Sequence, residues 1–305
     1  MSFTMTVKNE VSKQEFTNTA NISFLSAIVS NSYHDNDLIK ITTENASVAR
    51  CIYNIFKELY NINPAITVRK GYNYNKKLLY IMEVTKKLTD IYRDLGLEGD
   101  LPKSFIIDDV ELSKNYLKGL FLMCGSINDP KTSQYHLEFV VPTSTYAEFV
   151  TNLLNQFFLK AKYLKHENKY MVYIKEAEKI GDFLRIMNAT NALFYFEDMR
   201  IYRDHKNMTN RLNNCEQANV DKIILSATKE IEDINLIEEI GGLDLLEDKV
   251  KEVAIYRKKY PDVSLQELSE IISIETGVKI TKSGVHHRIK KIHDLAFKIK
   301  NSNDR

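Results

Sequence analysis

The feature that most constrains this 305-residue chain is a pattern that it runs through twice. In the first pass an apolar helix, SFLSAIVSNSY (23–33), is followed by a strand DLIKITTE (37–44) and a helix NASVARCIYNIFKELYN (45–61). The strands AITVRKGY (65–72) and LLYIMEV (78–84) and a helix KKLTDIYRDLG (86–96) complete it. The order recurs as NYLKGLFLMCGS (115–126), YHLEFVVP (135–142), TYAEFVTNLLNQF (145–157), AKYLKHE (161–167), YMVYIKE (170–176) and EKIGDFLRIMN (178–188). The helices carry apolar residues three and four apart, as in Val48, Cys51, Ile52, Ile55, Phe56 and Leu59, whereas the strands are short and rich in β-branched and aromatic residues. Each half is therefore α+β with a small antiparallel sheet. Turns are expected at NYNK, between Tyr72 and Lys77, and at HEN around Glu167, and the halves connect through Glu98 to Asp109.

After Asn188 the pattern changes to a polar, helix-compatible stretch without strand signal, EDMRIYRDHKNMTNRLNNCEQANVDKIILSA, which predicts one or two helices. Gly241 and Gly242 punctuate an acidic segment, after which shorter helices are expected over Asp244–Tyr260 and Leu265–Ile272, with a last helix from about Thr281 towards Lys300. The net charge of +1 points to no partner, but its distribution does: Lys279 to Lys300 carries seven cations against Asp294 alone, so any phosphate contact belongs first at the C-terminus. The boundaries read from the sequence are an N-terminal extension (1–20), a repeat domain (21–190, repeats about 21–98 and 110–188), a helical linker (191–240) and an all-α domain (241–305).

At NYLKGLFLMCGSI the sequence resembles the LAGLIDADG helix of homing endonucleases, with Leu117, Gly119, Leu120 and Gly125 on the motif and a degraded counterpart in LSAIVSNSY. The resemblance implies two helices crossing at a pseudo-twofold axis, where Ala27 and Gly119 permit a close approach. Further on, NRLNNCEQANVDKIILSA and SLQELSEIISIETGVKITKSGVHHRIKKIHDLA resemble the WhiA family of regulators, and the resemblance runs from about Asn21 to Ile299. It implies a degenerate LAGLIDADG-like pseudo-twofold repeat followed by a helix-turn-helix.

LAGLIDADG enzymes hold divalent metal with an acidic residue near the end of each motif helix, because hard cations beside a phosphate need oxygen ligands. The corresponding positions here are Ser32 and Cys124, neither a hard anion, which predicts no catalysis and no bound metal. Asp35 and Asp129 follow in polar turns, where Asp serves backbone hydrogen bonding; a displaced metal site built on them is the alternative. The repeat domain could still bind a duplex or a protein partner, and Arg69, Lys70, Tyr72, Tyr74, Lys76 and Lys77 describe either backbone contacts or a solvated hairpin.

In the C-terminal domain Ser264 with Glu267 forms a capping box, and Leu265, Leu268, Ile271 and Ile272 face a core. Thr281 caps the last helix, in which Val285, Ile289 and Ile292 form an apolar stripe. The 100° step then turns Ser283, His287, Lys290 and Lys291 outward, with Lys282 and His286 near the start and Arg288 on a flank. In a helix-turn-helix the early residues reach base edges and later cations contact phosphates. Lys282, Ser283, His286 and His287 are accordingly assigned to the groove, and Arg288, Lys290 and Lys291 to phosphate.

Cys51, Cys124 and Cys215 are odd in number and far apart, which argues against a disulfide framework and a zinc site, and no cofactor is implied. No apolar run approaches the roughly 20 residues of a membrane span, and MSFTMTVKNEVSKQEF lacks the pattern of a signal peptide, so the expected place is the cytoplasm, at the nucleoid. The leading expectation is a non-catalytic protein of double-stranded DNA, a transcriptional regulator or chromosome-associated factor. By resemblance it serves cell division and chromosome segregation, or sporulation in sporulating relatives. An active endonuclease and a scaffold recruiting a protein to DNA are the alternatives.

Overall fold

The computed structural model describes residues 2–15, 17–70, 78–132 and 134–303, which fold as two compact units, 1–204 and 205–305. Each has its own apolar core.

Unit 1 realises the repeat. Helix α2 (Asn18–Ser30) leads into strands β1 (Tyr33–His34) and β2 (Ile39–Thr43), helix α3 (Ala46–Tyr60), strands β3 (Ala65–Lys70) and β4 (Leu78–Val84) and helix α4 (Leu88–Asp94). The second pass gives α5 (Val110–Cys124), β5 (Gly125–Ile127), β6 (Leu137–Val141), α6 (Ser144–Gln156), β7 (Lys162–His166), β8 (Lys169–Ile174) and α7 (Ala177–Ile186). The sheets are antiparallel with matching orders, β1-β2-β4-β3 and β5-β6-β8-β7. Alternation decides what each face does: Leu137, Phe139 and Val141 of β6 are buried, while Glu138 and Val140 between them are half-buried. The turn expected at Tyr72–Lys77 lies outside the described residues; that at Glu167 is a tight turn with Glu167 in the left-handed region, φ 53°.

The two motif helices pack directly on one another. A Cβ on Gly119 of α5 would stand 2.2 Å from the Phe24 carbonyl oxygen and 3.1 Å from the Ala27 Cβ, so only glycine fits this close approach. Towards the far end of α2 a buried polar chain ties the repeats: the Tyr116 and Tyr146 hydroxyls lie 2.7 Å apart, and Asn31 Nδ2 donates to the Tyr146 oxygen at 2.8 Å.

The segment read as an N-terminal extension holds a helix, α1 (Phe3–Val11), packed into the repeat domain. Its signal was the spacing of Phe3, Val7 and Val11, a single apolar stripe with all three residues buried. The Thr4 hydroxyl donates to Ile127 O at 2.7 Å and accepts from Ile127 N at 2.9 Å, which satisfies the outer edge of β5. Glu10 accepts from the backbone amides of Asn191 and Ala192 at 2.8 and 3.0 Å, capping the start of helix α8 (Thr190–Gly241). The stretch read as a linker thus lies within one helix of 52 residues.

Unit 2 contains the C-terminal part of α8 and helices α9 (Asp248–Lys259), α10 (Leu265–Thr276) and α11 (Lys282–Asn303). Helix α9 starts four residues later than expected, because Leu243–Leu245 takes a short 3-10 turn after Gly242. Val250, Val253, Leu268, Ile272, Val285, Ile289, Ile292 and Ala296 form the core with Ile234 and Ile237 of α8. Two buried ionic groups pin these helices: Arg257 Nε stands 2.8 Å from Glu230, and Asp233 takes His293 at 2.6 Å and Lys300 at 3.2 Å.

Candidate nucleic-acid interface

Two places in the molecule are candidates for contact with nucleic acid: the ends of the motif helices in unit 1 and the α10–α11 pair in unit 2.

At the end of α5 the Cys124 thiol donates to Leu120 O at 3.2 Å, and burial pushes its pKa up to about 12. It is a neutral thiol at physiological pH. Ser32, just beyond α2, donates its hydroxyl to Ile28 O at 2.7 Å. The neighbouring aspartates serve their turns. Asp35 accepts from the amides of Asp37 and Leu38 and from the Tyr33 hydroxyl, and those bonds hold its carboxyl below the usual range. Asp129 accepts from the Lys131 amide and the Tyr195 hydroxyl. Among the described residues no three His, Cys, Asp or Glu side chains are grouped so as to hold a metal ion. A cation is nevertheless present here, since Lys8 of α1 lies 5.7 Å from the Phe121 ring centroid and feels the Glu44 carboxylate. Burial lowers its pKa to about 8. Sequence reading did not find Lys8, because nothing in the motif points to a helix that precedes it.

In unit 2 the capping box is formed in both directions: Glu267 N donates to Ser264 Oγ at 3.2 Å, and Ser264 N to Glu267 Oε2 at 2.7 Å. Helix α10 ends at Gly277, whose φ of 73° suits glycine, and the amide of Ile280 donates to Ser273 Oγ at 3.0 Å. The chain thereby turns sharply into α11, whose first turn is capped by Thr281 Oγ1 accepting from Gly284 N at 3.2 Å.

The stripe Val285, Ile289 and Ile292 is buried, with exposures of 0, 7 and 1%. Thr281, Lys282, Ser283, His286, His287, Lys290 and Lys291 are exposed on the remaining surface, and Arg288 is half-buried on the flank. The structure separates the three later cations. Arg288 pairs with Glu252 at 3.5 Å and Lys291 with Glu247 at 2.9 Å, whereas Lys290 has no ion pair among the described residues. Those carboxylates belong to α9 and the residue before it, partners that a one-helix projection cannot supply. Exposed Val278 and Ile274, at 68 and 82%, flank the turn beside this face and were not singled out from the sequence.

Comparison with known proteins matches this architecture part by part. The chain fits the WhiA N-terminal LAGLIDADG-like domain over residues 20–98, the WhiA LAGLIDADG-like domain over 113–206 and the WhiA C-terminal HTH domain over 209–296. It is 40% identical over 312 residues to the probable cell division protein WhiA of Staphylococcus aureus strains JH9 and Newman, covering 99% of this chain and 98% of each relative. The chain belongs to the WhiA family. The fold of full-length DUF199/WhiA from Thermatoga maritima matches with a TM-score of 0.59 at 24% identity, over 98% of this chain and 99% of that one. The separate N-terminal LAGLIDADG domain of DUF199/WhiA matches at 0.50 with 23% identity, over 61% and 90% respectively. As a WhiA-family chain it combines a degenerate endonuclease-type scaffold with a helix-turn-helix. None of its helices, among the described residues, is long and apolar enough to cross a membrane.

Proposed function

We propose that this protein binds duplex DNA through α10 and α11 as a regulator serving cell division, acting on transcription or on the segregating chromosome, and that it does not cut the duplex. The observation that carries the reading is the exposed face of α11, with short polar and imidazole groups at its capped start and the unpaired cation Lys290 beyond them. In this reading Lys282, Ser283, His286 and His287 meet base edges and Lys290 meets phosphate, as early and later residues of a recognition helix do. Arg288 and Lys291 reach phosphate by exchanging the carboxylates of Glu252 and Glu247 for it, a swap between two charge-assisted partners. The division role comes from the name of the relatives, and a place at the nucleoid follows from the proposed duplex binding. The LAGLIDADG-like unit then acts through its surface, towards DNA or a protein partner, since the motif positions hold a neutral thiol and a hydroxyl, the neighbouring aspartates serve their turns, and the one further charge, Lys8, is a cation that repels a metal ion.

The test is a salt titration of affinity for a genome-mapped site and for a scrambled duplex, with circular dichroism as the folding check. Replacing Lys290 and Lys291 by alanine should weaken both complexes and flatten the log-log slope by about 0.9 per lost phosphate contact. Ser283→Ala or His287→Ala should cost about 1–3 kcal/mol at the mapped site alone. An unchanged slope and affinity in the lysine variant would remove α11 from the interface. Incubation with Mg²⁺ or Mn²⁺ should leave the duplex intact; cutting that Asp35→Ala or Asp129→Ala abolishes would establish a displaced metal site instead.

A further inference from the structure

From His205 to Lys222 every residue of α8 is exposed. Five of them, Asn207, Asn210, Asn213, Asn214 and Asn219, are poor helix formers. Side-chain bonding within the stretch runs from Thr209 to His205 O and from Gln217 to Asp221, and no ion pair involves it among the described residues. A bare helix of this composition is marginal in water, so its stability calls for burial against another surface.

Three apolar residues of the stretch lie on one line, and Val220, 48% exposed, lies off it. Met208, Leu212 and Cys215 are spaced by four and three residues, with Met208 64% and Leu212 55% exposed and Cys215 exposed as a free thiol. In the sequence the seven-residue step from Cys215 to Met208 continues back to Ile201. Polar residues flank this line on both sides, which gives a seam two residues wide in every seven. That is the width of a coiled-coil seam, narrower than the stripe a helix turns to a globular core. In heptad terms His205, Leu212 and Asn219 occupy a, Met208, Cys215 and Lys222 occupy d, Arg211 a g position and Glu216 the following e.

We propose that this segment is a dimerisation seam that pairs in parallel with the same segment of a second copy of the chain. Parallel pairing sets Leu212 against Leu212 and lets the two Asn219 amides bond to each other. It also brings Arg211 of each copy beside Glu216 of the other, two attractive pairs related by the twofold axis. The antiparallel register with Met208 opposite Leu212 sets Arg211 against Arg211, and the next one buries Asn219 against Met208 with its amide unpaired. With Asn219 and Lys222 in the seam, association is modest and depends on concentration.

Sedimentation of the full chain without DNA tests this, independently of the duplex-binding reading. The mass should move from one chain to two as concentration rises through the micromolar range, and Leu212→Asp should weaken association at least about tenfold by placing a charge in the seam. As a check that leaves the seam's shape alone, diamide oxidation should join two chains through Cys215. That reaction should be at least about tenfold faster than in a Cys215→Ser, Asn214→Cys variant, whose thiol points away from the partner. A single-chain mass throughout, a dimer indifferent to Leu212→Asp, or equal cross-linking rates would each overturn the proposal.

Discussion

The end of α5 and the outer face of α11 use similar side chains, hydroxyls, a lysine, a thiol in one and imidazoles in the other, to opposite effect. At the end of α5 four polar groups are bonded within the fold: Cys124 to Leu120 O, Ser32 to Ile28 O, and Asp35 and Asp129 to their turns. Along α11 the early polar groups face solvent, and the flanking cations rest on exposed carboxylates that a phosphate can replace. A group bonded within the fold has less to offer a ligand than an exposed cationic face. On the proposed function the first region serves structure and the second recognition.

The strongest way to break that contrast is at the helix crossing. Gly119→Leu forces a side chain into the Phe24 backbone and should destabilise the protein by about 3–5 kcal/mol or prevent folding, as read by denaturant titration. A loss under about 1 kcal/mol would show that α2 and α5 can separate cheaply and that this region is not the rigid one.

Lys8 gives the next effect. Its folded pKa, lowered to about 8 by burial, lies below the ordinary 10.5, so the unfolded chain holds the extra proton between those values and stability rises with pH across that window. Lys8→Met removes the cost of the buried charge and should stabilise the protein at neutral pH by on the order of 2 kcal/mol, with the gain shrinking towards pH 10.5. A gain independent of pH would mean that packing rather than charge sets it. The smallest effect is expected at the start of α11, where Thr281→Ala removes a cap worth about 1 kcal/mol in thermal unfolding. If affinity for the mapped site falls further than this loss explains, the Thr281 hydroxyl itself touches DNA.

Much of this was legible in the sequence because it is local. Spacing located α3 and the stripe of α11, and the capping box at Ser264 and Glu267 marks the first residue of α10. Asp35 and Asp129 accept from the turn amides expected of them, and also from the Tyr33 and Tyr195 hydroxyls, the second from 66 residues away. What stayed hidden depends on residues distant in the chain. The carboxylates that hold Arg288 and Lys291 lie on or beside another helix, and Lys8 reaches the end of α5 from a segment that carries no motif. The buried pair of Arg257 and Glu230 is equally invisible to periodicity, which reads Arg257 as a surface cation.

The placement of α1 has a consequence for how the chain comes off the ribosome. Helix α1 is translated well before its partners, because Thr4 waits for Ile127, 123 residues later, and Glu10 for Asn191, 181 residues later. At elongation rates of about 5–20 residues per second the two delays span roughly 6–36 s. During them Phe3, Val7 and Val11 have no completed surface to cover. The nascent repeat domain is thus open to early chaperone capture, and its closure waits until the start of α8 has been synthesised.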